Sequence, residues 1–277
     1  MVHAYSIIEK TLCIPTHDTS PKMKRIKAKN PESYVDRTYR MLPEHGLISS
    51  FAKIKDTDLH ILADREVSAR ALELALQYRL QIERYIEQHP EFLPALTPLS
   101  PDILAPPIVK EMLDAGRVAA VGPMAAVAGA IAEYVGRALV ESGCREVIVE
   151  NGGDIYLDRT RDCTVAIFAG ESSLSLQVGL RLAATRMPLG VCTSSGTVGH
   201  SLSFGRADAV AVIARSASLA DAAATRLGNE VGASISIEEG IKRALQLGKT
   251  IEGVEGAVVI CGDKIGAVGN VELVKLN

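Results

Sequence analysis

Glu146-Val147-Ile148-Val149-Glu150-Asn151-Gly152-Gly153-Asp154-Ile155-Tyr156-Leu157 reads as two apolar strands around a two-glycine turn. Glycine reaches positive φ at little cost, so Gly152-Gly153 predicts a tight hairpin. Asn151 and Asp154 place an amide and a carboxylate on either side of that turn. A plain hairpin accounts for the tetrapeptide by itself, and a ligand-binding turn accounts for its flanking polar groups.

Working outward, further strands are predicted at residues 164–168, 174–180, 209–214, 257–261, 264–268 and 271–276. Residues 34–40 read as extended, and 47–55 with 59–63 read as a hairpin. Apolar residues at helical spacing predict helices over 65–89, 108–115, 123–142, 218–231 and 237–247, with Gly116 ending the second. Pro94, Pro98, Pro101, Pro106 and Pro107 predict an irregular loop, a surface cover or a lid over a cavity. Hairpins and helices in blocks imply an α+β fold with mixed or antiparallel sheets rather than a doubly wound one. Residues 1–30, with a Lys/Arg cluster at 22–29, are expected to form an N-terminal arm, and 31–277 one domain.

The 277 residues are 47% hydrophobic and 23% charged, the balance of a globular protein with one large core. A net charge of −3 with 4% aromatics and no Trp argues against a nucleic-acid surface. No secretory signal and no uninterrupted apolar window of membrane-spanning length is read, so no membrane partner and a cytoplasmic location are expected. The five cysteines are widely spaced and odd in number, consistent with free thiols. A homodimer is left open.

Two later segments join the glycine turn. Cys192-Thr193-Ser194-Ser195-Gly196-Thr197 is expected to be a loop whose hydroxyls and N–H groups cradle an anion, with a bland surface loop as the alternative. Ser218 is expected to open a helix, and its spacing to Asp221 suits a capping box. Asp221 and Thr225 are spaced i, i+4, so both oxygens fall on one helix face, where a hard cation such as Mg²⁺ with a phosphate is the second reading. The start of helix 123–142, rich in Ala and Gly, either packs closely on a neighbour or presents free N–H groups to a phosphate. Cys192 is either a buried small side chain or a thiolate activated by the adjacent loop, fit to attack an electrophile or carry a persulfide. His200 either acts as a base or caps the loop.

Taken in order, Asn151-Gly152-Gly153-Asp154-Ile155, Cys192-Thr193-Ser194-Ser195-Gly196 and Ala220-Asp221-Ala222-Ala223-Ala224-Thr225 resemble the N-x-G-G-D-I, A-T-S-G and A-D-A-x-x-T motifs of the ApbE-like proteins. The best-known members of that family are magnesium-dependent enzymes that transfer FMN from FAD to a protein threonine. The resemblance implies an ApbE-like fold, metal ligation by Asp221 and Thr225, and a nucleotide or flavin-type cofactor such as FAD held near Asn151–Asp154 and Thr193–Thr197. It also implies a transferase working with a phosphate-containing small molecule. Two features depart from the family. The K-G-Y/W-x-x-D stretch is replaced by Gly122-Pro123-Met124-Ala125-Ala126-Val127-Ala128, and the H-I-I-D-P-x-T-G segment by His200-Ser201-Leu202-Ser203-Phe204-Gly205. The expected consequence is weak or absent flavin transfer. A sulfur-handling protein using Cys192 and a non-catalytic binding module are the alternatives from other classes.

Overall fold

The computed structural model describes residues 46–195, 205–232 and 235–276. The expected arm 1–30, the extended stretch 34–40, and Gly196, Thr197 and His200 lie outside the described residues.

The elements in chain order are β1 (Ile48–Ile54), β2 (Thr57–Ala63), α1 (Ser68–Gln88), α2 (Pro107–Ala119), α3 (Val127–Glu141), β3 (Val147–Asn151), β4 (Asp154–Asp158), β5 (Cys163–Ala166), β6 (Val178–Leu182), β7 (Leu189–Ser194), β8 (Ala209–Ala214), α4 (Ala217–Glu230), α5 (Ile237–Gly248), β9 (Val254–Cys261), β10 (Lys264–Gly269) and β11 (Glu272–Lys275). Eight strands form one sheet in the order β1-β2-β3-β4-β7-β8-β9-β10, and β11-β6-β5 form a second. Every pairing is antiparallel. The fold is α+β, as the blocks of hairpins and helices imply.

Strand alternation sorts the core into two layers. Leu59, Ile61, Val147, Val149, Tyr156, Cys192, Val210, Val212 and Val259 face the helices. Ile148, Leu157, Val191, Ala211, Ile213 and Ile260 face the other way, against Leu180 and Leu182 of the smaller sheet. β8 is buried along all six residues because it is covered on both faces. The hairpin β3–β4 has the turn its sequence requires, with Gly152 at φ 72° and Gly153 at φ 103°.

Four expectations change. Leu189–Ser194 is an interior strand between β4 and β8, whereas Cys192 to Thr197 reads as a loop. Its small residues mask the apolar alternation, and they are small because α4 lies directly on them: a Cβ on Gly190 would come 2.4 Å from Ala217 Cα. α2 continues through Gly116 to Ala119 and ends at the left-handed Ala120, so Gly116 serves close approach, a Cβ there meeting Val121 O at 2.9 Å. The chain expected as a strand from 174 enters the sheet only at Val178. Residues Pro123–Ala126 form a 3-10 turn before α3, and the combined segment Pro123–Glu141 is long and apolar enough to cross a membrane by composition, yet 61% of its most apolar window is buried inside the protein.

α3 and α4 cross with their backbones in close contact. A Cβ on Gly129 would lie 2.2 Å from Ala217 O and 2.9 Å from Asp221 Cβ. Gly129→Ala should therefore destabilise by about 1–3 kcal/mol through overpacking, outweighing the ~1 kcal/mol that alanine gains over glycine within a helix. Urea denaturation checks this, and an equal or higher midpoint would contradict the crossing.

Candidate functional site

The two helices hold each other's ends. Asp221 Oδ2 in α4 accepts from Gly129 N in the first turn of α3, at 2.9 Å. Glu133 Oε2 in α3 accepts from Ala217 N at 2.7 Å and Ser218 N at 3.4 Å in the first turn of α4. The Ser216 hydroxyl accepts from Leu219 N at 3.3 Å and has Glu111 and Glu133 carboxylates at 3.0 and 3.1 Å to receive its own proton. Carboxylates at helix N-termini are favoured by the orphan N–H groups and the dipole there. The capping-box reading of Ser218 and Asp221 is thus corrected. Ser216 caps α4, the Ser218 hydroxyl is buried without a hydrogen-bond partner among the described residues, and Asp221 caps a different helix. The expected free N–H groups of α3 are correspondingly engaged.

The glycine turn reaches the same place. Asn151 Nδ2 donates to Ala128 O at 3.1 Å, fixing the turn against the start of α3. Gly153 N donates to Glu150 Oε1 at 2.8 Å, and Thr193 N to Gly153 O at 3.2 Å. Asp154 pairs with Cys192 across β4 and β7, on the helix-facing side. Asn151, Asp154, Cys192 and Asp221 therefore converge around the first turn of α3. Thr225 is one turn further along α4 and buried; Gly152 lies exposed at the turn, and Thr193 and Ser195 are half-buried. Ser194 is on the same side of β7 as Cys192, and its hydroxyl is buried without a hydrogen-bond partner among the described residues.

Charge is costly here. Asp154 is held well above the usual carboxylate range, first by desolvation and then by the Asp221 charge. Asp221 is pushed up to about 7 by desolvation, opposed by the backbone N–H groups of Gly129 and Ala128. Both residues remain 8% exposed, so the cluster touches the surface. Burial also pushes the Cys192 thiol well up, and the Asp154 and Asp221 charges add to the shift. Its Sγ lies 3.2 Å from Ala217 O. The expectation of an activated thiolate is corrected: the hydroxyl run that was to supply positive potential is strand up to Ser194, and the neighbours of the sulfur are carboxyls.

Among the described residues no group of three or more His, Cys, Asp or Glu side chains is arranged to hold a metal ion. A cation at this cluster would rest on Asp154 and Asp221 with hydroxyl or backbone oxygens. That donor set is hard and anionic, and it suits Mg²⁺ better than a soft metal. Two buried carboxyls that resist ionising together are what a divalent charge would relieve. The segment expected to differ from flavin-transferring proteins offers no stacking surface. Gly122 is clamped beneath the Pro-rich stretch, a Cβ there falling 1.8 Å from Ala95 O. Two open cavities lie elsewhere, one beside α5 and β10 and one along α1.

The AbpE bacteria family model matches residues 40–273. A UPF0280 protein of Methanococcus aeolicus is 43% identical over 231 residues, spanning 81% of this chain and 91% of the relative. A UPF0280 protein of Methanosarcina acetivorans is 41% identical over 230 residues, spanning 83% and 89%. Among solved structures, the apo form of the flavinyl transferase ApbE from Pseudomonas stutzeri superposes with a TM-score of 0.50 at 13% identity, covering 80% of this chain and 93% of that one. At that identity the likeness is one of fold.

Two outcomes are expected. An aspartate whose folded pKa is raised keeps its proton while the unfolded chain has lost its own, so stability falls as pH climbs from near 3.8 toward about 7. The slope reaches about 1.4 kcal/mol per unit for each fully shifted group. Metal-free protein should be more stable at pH 5 than at pH 7.5, and Asp221→Asn should flatten that difference; a parent curve rising through this range would contradict the buried pair. Cys192 should resist alkylation in native protein and label only on unfolding, and prompt labelling mapped by mass spectrometry would contradict its burial.

Proposed function

The chain belongs to the AbpE bacteria family, and from that membership together with its buried carboxyl cluster we propose that it binds a phosphate-containing ligand of nucleotide or flavin type with a divalent cation. The observation that carries this reading is the Asp154–Asp221 pair, buried, mutually repelling and still 8% exposed, near the Ser194 hydroxyl, which has no hydrogen-bond partner among the described residues. A protein that used these groups only for packing would do better with one of them neutral, because an unpaired buried charge is expensive.

Asp154 and Asp221 would hold the cation, with Thr225 one helical turn from Asp221 as a further oxygen. Mg²⁺ bound there would screen phosphate charge and link the ligand to the two carboxylates. Asn151 would orient the turn through Ala128 O, leaving the Gly152-Gly153 backbone to approach the ligand closely. Ser194, on the same side of β7 as Cys192, would supply a hydroxyl, whereas Thr193 alternates to the other face with Ala211 and would offer only its backbone. Group transfer of the nucleotidyl or flavin type is the activity such a site would serve. Because the Ala-rich stretch Ala125-Ala126-Val127 lacks a lysine and an aromatic ring, transfer of FMN itself is expected to be weak or absent. The sulfur-carrier reading loses its support with the burial and raised pKa of Cys192.

Calorimetric titration with ADP, FMN and FAD, each with and without Mg²⁺, tests the reading. Mg²⁺ should strengthen binding of at least one ligand, and Asp221→Asn or Asp154→Asn should abolish that enhancement while the protein stays folded. Identical binding with and without Mg²⁺ in the parent, or an undiminished Mg²⁺ response in both variants, would exclude the site.

A further inference from the structure

α1 is two-faced. Ala71, Leu74, Ala75 and Ile82 are buried in the core, and Tyr78 meets Tyr134 of α3 edge-on at 5.2 Å. The opposite face carries Leu72, Leu76 and Leu80, which are 44%, 47% and 37% exposed. The Pro-rich stretch adds Ile103 and Leu104, at 83% and 89%. Single exposed leucines are ordinary, but Leu76, Leu80 and Leu104 line one groove, and clustered exposed aliphatics mark an interaction surface. A groove of about 1140 Å³ runs along this face, with Leu76, Leu80 and Leu104 in its lining and Glu73 and Arg84 among its charged groups.

The charges identify the occupant. Among the described residues Glu73 pairs only with the solvent-exposed Arg70 on its own helix, at 3.1 Å. Arg84 forms no ion pair with the described residues. Glu73 and Arg84 lie three helical turns apart on one stripe, with Leu76, Gln77, Leu80 and Gln81 between them. We propose that this face is a two-fold homodimer interface in which α1 packs antiparallel against α1 of a second copy, about an axis passing between residues 78 and 79. That axis sits at the middle of the helix Ser68–Gln88, so the two helices overlap along their full length. It sets Glu73 against Arg84 of the second copy, twice, and Leu76 and Leu80 against Gln81 and Gln77. An isologous contact requires this self-complementarity, with apolar groups at the centre and opposite charges toward the ends. A nucleic acid would need a basic surface, and this stripe carries one charge of each sign.

The interface lies on the face of α1 away from α3, so association and ligand binding are separable. Analytical ultracentrifugation of the full chain over micromolar to submillimolar concentration should show a monomer–dimer equilibrium. Leu80→Asp, at a surface position, should weaken it at least about tenfold while leaving the melting temperature unchanged at concentrations where both proteins are monomeric. Glu73→Arg or Arg84→Glu alone should weaken it about threefold or more, and the double variant E73R/R84E should recover the parent value because each new charge meets its opposite. A parent that sediments as a monomer throughout, a dimer indifferent to Leu80→Asp, or a charge swap that fails to recover would each overturn the proposal. Should Leu80→Asp impair folding, the charge cycle still decides.

Discussion

Reciprocal capping of α3 and α4 is the constraint on which the rest of the site depends. Asp221 serves the N-terminus of α3, Glu133 serves that of α4, and Gly129 lets the two backbones approach closely enough for both. Each cap is worth about 0.5–2 kcal/mol by itself. Together they do more than add, because they lock the crossing that puts α4 over β7. That is why Gly190 and Cys192 must be small, and why Asp154, opposite Cys192 in the sheet, finds itself near a second carboxyl.

The same arrangement changes how a phosphate is to be met. Helix N-termini are ready anion sites, yet in this chain the first turns of α3 and α4 already hold protein carboxylates. Negative charge is concentrated where an anionic ligand would come. The proposed divalent cation would resolve that conflict, since it would convert two reluctant carboxyls into ligands and present positive charge outward. Glu133 follows a parallel logic without a ligand role: burial and nearby Glu111 push its pKa up, and N–H groups of Ala217 and Ser218 with the Ser216 hydroxyl pull it back.

Family membership and fold agree across most of the described chain, while the chemistry narrows. The segment before α3, where flavin-transferring relatives of the sequence motifs would place a lysine and an aromatic ring, is an alanine-lined 3-10 turn beneath the Pro-rich stretch. What the chain brings together is the glycine turn, the carboxyl pair and the Ser194 hydroxyl, a set whose chemistry suits the proposed cation and phosphate better than a stacked flavin ring.

The sequence by itself determined the α+β class, the Gly152-Gly153 hairpin and the bounds of β8 at Ala209–Ala214, because period-two alternation and positive-φ turns are local properties. It also pointed to three segments that the structure brings together at Asn151, Asp154, Cys192 and Asp221. It misread β7, whose Cys192-Thr193-Ser194 looks like a loop because small residues carry little hydrophobic signal. Of its two readings of Asp221, a cation ligand or a cap for its own helix, the second gives way to a cap on another helix, since an N–H group 92 positions away leaves no trace in local spacing. The protonation of Cys192 and the aspartates was likewise beyond it. A pKa depends on how many charges share a dry volume, and only the crossing of α3, α4 and β7 decides which charges those are.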